Sequence, residues 1–161
     1  MEFIVRRWLF CIAVSMSLVS SALGDDDLDA VFGKDVLIIE ASRHACYRFD
    51  IYLAINDEQR RRGLMFVRSM PQLTGMLFVY DSPNYHSMWM KNTFIPLDMV
   101  FARQDGTVSS IARHTEPQSL RSMAAIEPVM FVLELNAGIT ERLNIDENSR
   151  LIWEPADGVI E

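Results

Sequence analysis

Hydrophobic and polar positions alternate through much of the chain. Tyr47, Phe49, Ile51, Leu53 and Ile55 are each separated by one residue, and the residues between them are more polar on average. A period of two residues is typical of a half-buried strand. Further apolar or alternating runs predict strands at residues 36–39, 76–80, 87–90, 97–102, 107–113, 129–133 and 151–153, about eight in all.

Two short segments have helical signals instead. Residues 56–63 begin with the capping residue Asn56, continue with acids and then arginines, and end at Gly63. This order of charges suits the helix dipole, and we take it as the reason for the arginine run in preference to an anionic partner. Residues 137–143 predict a second short helix, whereas residues 114–127 have the composition of a long loop.

Turns between the predicted strands define the fold class. Asp105 and Gly106 lie between two of the strands and predict a hairpin. The helical content is too small for a doubly wound sheet, and the chain contains no internal repeat. We therefore predict a single, mainly β domain over residues 34–161, an antiparallel β-sandwich or barrel with two short helices.

The first 24 residues differ from the rest. Arg6 and Arg7 precede an apolar run of 16 residues, from Trp8 to Leu23, and an acidic leader at residues 25–33 follows. This order predicts a cleavable signal peptide, with an uncleaved N-terminal anchor as the alternative. Either interpretation predicts export to the periplasm or cell envelope.

The net charge limits the classes of partner that the protein can bind, and the cysteine content limits its disulfides. The chain has a net charge of −7, and removal of residues 1–24 leaves a net charge of −8. An acidic surface repels phosphate backbones and anionic lipids, so we predict no nucleic-acid partner and no membrane contact beyond an N-terminal anchor. Cys46 is the only cysteine after residue 24, which excludes an intramolecular disulfide there, and we expect it to be a small buried residue within a strand.

Four sequence clusters carry a resemblance to a known family. They are residues 62–66 (RGLMF), 75–78 (GMLF), 89–98 (WMKNTFIPLD) and 132–138 (VLELNAG). In order and spacing they resemble the domain of unknown function 192 family, over roughly residues 34 to 154. The resemblance implies a β-sandwich of jelly-roll type in an exported or membrane-anchored protein, and it implies no settled activity.

Charged residues within these apolar clusters are the candidate ligand-binding site. The charged residues are Lys91, Asp98 and Glu134, and the candidate site also includes Trp89 and Asn92 near Lys91. An ionisable group amid apolar residues must find a partner or lose its charge, so Lys91 is expected to pair with Asp98 or Glu134. Two interpretations stay open: a structural network that sets strand register, or a pocket that binds an anionic or hydroxylated ligand and stacks a sugar ring on Trp89.

The predicted function is a non-catalytic ligand-binding or interaction module, whose partner is an unknown small molecule, a glycan or an envelope protein. One alternative is an envelope hydrolase that uses Asp98 and Glu134. The other is a Cu(I)-binding protein, because His86, Met88 and Met90 would share one face of a strand and offer an imidazole and two thioethers. No other cofactor is predicted.

Overall fold

The computed structural model describes residues 25–42 and 45–155. The helices are α1 (Asp25–Val31), α2 (Asp57–Arg62) and α3 (Ile139–Arg142). The strands are β1 (Gly33–Glu40), β2 (Cys46–Ala54), β3 (Thr74–Asn84), β4 (Ser87–Met88), β5 (Leu97–Ala102), β6 (Val108–Ala112), β7 (Met123–Ala124), β8 (Val129–Asn136) and β9 (Arg150–Ile152).

Seven strands form one sheet in the order β6-β5-β8-β3-β2-β1-β9. Five of its six neighbour pairs are antiparallel, as expected. The sixth pair corrects the expectation of an antiparallel sheet: β2 and β3 are parallel, from Asp50 opposite Thr74 to Ala54 opposite Phe78. Parallel neighbours require a crossover connection, and residues 55–73, which include α2, provide it. The pattern of apolar and polar residues within β2 or β3 does not show whether the two strands pair in parallel or antiparallel.

The two edges of the sheet approach one another, so the sheet is a nearly closed barrel. The Val108 amide donates to the Ser149 carbonyl at 3.0 Å, and the Leu151 amide donates to the Gly106 carbonyl at 2.8 Å. An isolated bridge joins Thr107 to Arg150. The molecule is thus mainly β, as predicted, but its described residues form three short helices where two were expected, and the strand order does not confirm the jelly-roll arrangement.

Apolar side chains cover both faces of the barrel sheet. The barrel core fills the interior and includes Leu37, Ile39, Phe49, Ile51, Leu53, Leu77, Val100, Leu133, Leu135 and Leu151. The loop-side core lies on the outer face under the connecting loops and includes Tyr52, Leu64, Met70, Met76, Phe78, Met88, Met90, Met99, Phe101 and Val132. Strands such as β5, buried at every position, therefore show apolar runs rather than clean alternation.

The acidic leader is partly helical. Residues 25–31 form α1, and Leu28 and Phe32 are buried in the loop-side core. The Tyr52 hydroxyl donates to Asp29 at 2.8 Å, and Lys34 pairs with the same carboxylate at 2.6 Å. No helix in the described ranges is long and apolar enough to span a bilayer. The predicted signal segment at residues 1–24 lies outside those ranges.

A second, two-stranded sheet, the minor sheet, packs over the loop-side core. In it, β4 pairs with β7 in the stretch predicted as a loop, and β4 ends at Met88 rather than at residue 90. Its side chains alternate: Tyr85 and Trp89 are exposed, whereas Met88 and Met90 are buried. Elsewhere Cys46 is exposed at the start of β2, so the expectation that it is buried is wrong.

Candidate functional site

Helix α2 brings three arginines to one edge of the loop-side core. The Asn56 side chain accepts the Gln59 amide at 2.9 Å, and the Gly63 amide donates to the Gln59 carbonyl at 2.8 Å with a φ of 45°. These caps confirm the predicted helix. Arg60 donates to the carbonyls of Ile55 at 2.8 Å and Val79 at 2.7 Å, so this arginine ties the helix to the barrel.

The two turns that follow α2 and β4 are joined to each other. The Phe66 amide donates to the Asn92 carbonyl at 2.8 Å, and the Asn92 side chain donates to the sulfur of Met65 at 3.8 Å. Phe66 and Asn92 both have positive φ angles, 69° and 56°, in the region that residues other than glycine seldom adopt. Asn92 therefore holds the two turns together.

These segments surround a pocket of about 100 Å³, the Glu134 pocket. Its wall combines the end of α2, the following turn, β4 and the turn after it, and its floor is the outer face of β3 and β8. Its lining includes the aromatic residues Tyr80 and Trp89 and the ionisable residues Arg60, Arg61, Arg62, Lys91 and Glu134. All four motif clusters that carried the family resemblance thus contribute to one pocket, although they lie far apart in sequence.

Glu134 is the buried titratable group of this pocket. Its residue is 4% exposed, and β8 places it between Met76 of β3 and Met99 of β5. Burial raises the pKa of Glu134 to about 8, so at neutral pH the carboxyl is largely protonated. Burial also raises the pKa of Tyr80 to about 12. The positive charge of Arg60 acts to lower this pKa, and the negative charge of an ionised Glu134 acts to raise it.

The lining of the pocket is rich in cations, one of which, Arg60, also pairs with the carboxylate of Asp57 at 2.8 Å. Glu134 is the only acidic residue among the described residues that line it. The Lys91 ammonium lies 5.2 Å from the centre of the Trp89 ring and makes no ion pair within the described ranges, so the predicted pairing with Asp98 or Glu134 is not found there. Trp89 is 51% exposed. Lys91 and Trp89 therefore present a cation and an aromatic surface to solvent.

Asp98 lies elsewhere. It is fully buried, and its carboxylate accepts hydrogen bonds from the His114 amide at 2.9 Å, the Gly138 amide at 3.0 Å, and the Thr140 amide and hydroxyl at 3.1 and 2.7 Å. Four donors satisfy the charge of a buried carboxylate. Asp98 therefore anchors the start of α3 and does not share a pocket with Lys91.

The two candidate carboxyl groups of the hydrolase alternative point apart. On the paired strands β5 and β8, Asp98 is opposite Leu135 and Met99 is opposite Glu134. Adjacent positions of a strand project to opposite faces, so Asp98 faces the barrel end and Glu134 faces the loop-side core. Hydrolysis by a pair of carboxyl groups requires both groups to flank the same scissile bond, and this geometry does not support that mechanism.

The candidate copper ligands lie on the inner side of the minor sheet. The His86 ring stacks on Tyr80 with centroids 3.4 Å apart. The Met88 sulfur accepts the Tyr80 hydroxyl at 3.7 Å, and the Met90 sulfur accepts the Thr115 hydroxyl at 3.1 Å. Among the described residues, histidine, cysteine and carboxylate side chains form no group of three suited to a metal.

Sequence reasoning missed the arginines and Tyr80 as pocket residues. The three consecutive arginines were visible, but the dipole of α2 explained them locally. A further signal was that Arg62 is the first residue of the RGLMF cluster and that Arg60 and Arg61 come directly before it, which places all three beside the residues that this cluster contacts.

The barrel-like sheet and the motif clusters around the Glu134 pocket define a family of β domains. The family model of DUF192, described as "Uncharacterized ACR", matches residues 38–153. The chain belongs to the DUF192 family.

Two solved structures are among those similar to this chain. A structure from Sinorhizobium meliloti 1021, described as a "putative transcription regulator", is 37% identical with a TM-score of 0.74, and the match covers 75% of this chain and 94% of that one. A protein of unknown function from Novosphingobium aromaticivorans DSM 12444 is 30% identical with a TM-score of 0.72, covering 74% and 85%. No curated protein matches the chain.

Proposed function

We propose that this protein is a non-catalytic binding module of the periplasm or cell envelope, and that the Glu134 pocket holds an anionic group of its ligand. The observation that carries the proposal is the concentration of four cationic side chains around one small pocket in a chain of net charge −7. The order of charges and apolar residues at residues 1–24 supports the location.

The charge balance of the pocket supports an anionic ligand. Arg61 and Lys91 make no ion pair within the described ranges, and Arg62 donates to the Met65 carbonyl beside the pocket. A protonated Glu134 adds a hydrogen-bond donor instead of a negative charge at neutral pH. The cationic side chains on the wall of the pocket and the neutral carboxyl group on its floor are together complementary to an oxyanion.

The size of the pocket limits what enters it. A volume of about 100 Å³ has room for a few water molecules, and hence for one carboxylate, sulfate or phosphate group. The remainder of the ligand would lie outside, where Trp89 is exposed and offers a face for a sugar ring or another flat apolar group. The net charge of the chain does not favour a nucleic acid, so the description of the Sinorhizobium protein is not part of the proposal.

The test is an NMR titration of the Trp89 indole N–H signal with sulfate, inorganic phosphate and glucuronate. We expect at least one of these anions to shift the signal, and we expect Lys91→Met to weaken its binding by about tenfold or more. Arg142→Met is the matched control, because it removes the same charge from an exposed position on α3. Binding should also weaken as pH rises through about 8, because an ionised Glu134 repels the anion.

Three results would count against the proposal: no anion shifts the signal, Lys91→Met and Arg142→Met bind equally well, or Lys91→Met lowers only the stability of the fold. Glu134→Gln tests whether ionisation of Glu134 causes the pH dependence of binding. It keeps a neutral donor in place, so binding at pH 7 should persist and the weakening above pH 8 should disappear.

A further inference from the structure

The inner side of the minor sheet collects soft metal ligands from two strands. Along β4 and its flanks, His86, Met88 and Met90 are buried or half-buried, while Ser87 and Trp89 are exposed. The opposite strand, β7, adds Met123, which packs against the same loop-side core. Sequence spacing indicated the first three residues, but only the strand pairing adds the fourth.

Three observations place these side chains in the same region. Met88 is directly opposite Met123 in the antiparallel pair, where Cβ atoms lie about 4.5–5.5 Å apart. Met90 and Met123 line the same cavity of about 310 Å³. Tyr80 contacts both the His86 ring and the Met88 sulfur.

One polar atom in this group has no partner. Nε2 of His86 is buried and makes no hydrogen bond with the described part of the chain. A buried nitrogen without a partner destabilises the fold unless something occupies its lone pair.

We propose that the inner face of the minor sheet binds one Cu(I) ion through His86, Met88 and Met123, with Met90 as a further thioether ligand. Thioethers and a neutral imidazole suit Cu(I) and offer little to magnesium or calcium, which prefer oxygen. Exposed Arg121 and Glu116 border the cavity beside Met90 and Met123, so the ion can reach these two thioethers from solvent. The site does not depend on anion binding at the Glu134 pocket.

The test is an anaerobic titration of the full chain with Cu(I) in competition with a chromophoric Cu(I) chelator. Cys11→Ser and Cys46→Ser are introduced first, because a thiolate binds Cu(I) by itself and Cys46 is exposed. We expect one Cu(I) per chain, and we expect Met88→Leu with Met123→Leu to weaken binding by about hundredfold. Met76→Leu with Met99→Leu is the matched control, because both residues lie in the loop-side core on the barrel sheet.

The outcomes separate a metal site from ordinary packing. Nitrogen and sulfur ligands in the X-ray absorption spectrum, lost only in the Met88/Met123 variant, would support the site. Absence of Cu(I) binding, or equal weakening in both methionine pairs, would overturn it. If the double variant does not fold, Met123→Leu alone decides, because Met123 is half-exposed and leucine has a similar volume; unchanged affinity would then refute its role.

Discussion

Glu134 and Asp98 are both buried carboxyl groups, yet their surroundings give them different chemistry. Asp98 accepts four hydrogen bonds from backbone and hydroxyl donors, which stabilise its charge. Glu134 is surrounded by apolar side chains on the floor of its pocket, and desolvation dominates its pKa. Neighbouring strands thus present one carboxyl group that anchors the structure and one that lies at the floor of the Glu134 pocket.

The stability of the protein should depend on the ionisation of Glu134. Its folded pKa of about 8 exceeds its ordinary value of 4.5, so the folded state holds a proton that the unfolded state has lost between these pH values. The free energy of unfolding should therefore fall as pH rises from about 4.5 to 8, by up to about 4 kcal/mol. Urea unfolding at several pH values measures this slope.

Glu134→Gln should flatten that dependence and make the protein more stable than the wild type at pH 9. Glu147→Gln is the control, since Glu147 is exposed and its loss should leave the slope as it is. Equal slopes in the wild type and Glu134→Gln would show that Glu134 is already charged in the folded protein at neutral pH.

At the scale of elements, the β5–β6 hairpin closes the barrel. The Gly106 amide donates to the Arg103 carbonyl at 2.9 Å, and the Gly106 carbonyl accepts the Leu151 amide of β9. Gly106 has a φ of 83°, a conformation available to glycine. A Cβ at this position would lie 2.1 Å from the Leu151 carbonyl oxygen, so the turn and β9 can meet only at a glycine.

Gly106→Ala should therefore destabilise the protein by about 2–3 kcal/mol, because the added methyl group clashes and the backbone angle is strained. Gly33→Ala is a matched control, since a Cβ at Gly33 has no atom within 4 Å. Urea denaturation of the two variants measures the difference. If both variants are equally stable, contact between the hairpin and β9 does not contribute to barrel closure.

The whole molecule has two cores of different composition. The loop-side core contains Met70, Met76, Met88, Met90 and Met99, whereas the barrel core is built from leucine, isoleucine, valine, alanine and phenylalanine. Methionine is flexible and fills irregular gaps, and branched side chains pack in fixed rotamers. Both proposed binding sites lie on the methionine side, where the loops meet the barrel.

This asymmetry predicts two levels of local stability. Amides of β2, β3 and β8, which are central in the barrel sheet, should exchange with solvent only on global unfolding. Amides of β4 and β7, which form a sheet with two residues in each strand, should exchange earlier through local opening. Native-state hydrogen exchange in low concentrations of urea distinguishes local opening from global unfolding. Equal protection of the Met88 and Leu133 amides would contradict the prediction.

Much of the local structure could be predicted because its causes are local. Alternation from Tyr47 to Ile55 specifies a strand, Asn56 and Gly63 delimit a helix, and Asp105 with Gly106 specifies a hairpin. The motif clusters indicated the DUF192 family before any fold was known, and the family match confirms it. α1 and β7 were missed because their few buried side chains make no periodic pattern.

Relations between distant segments were decided only by the tertiary structure. Strands buried on both faces do not reveal which face is which, so the separation of Asp98 from Glu134 depended on the packing of loops and barrel. The same packing set the parallel pairing of β2 with β3 and placed Met123 opposite Met88. The amino-acid sequence by itself determined the elements and the family, because short-range sterics and hydrogen bonds act within a few residues. Tertiary structure determined the sites, because a site depends on which elements become neighbours.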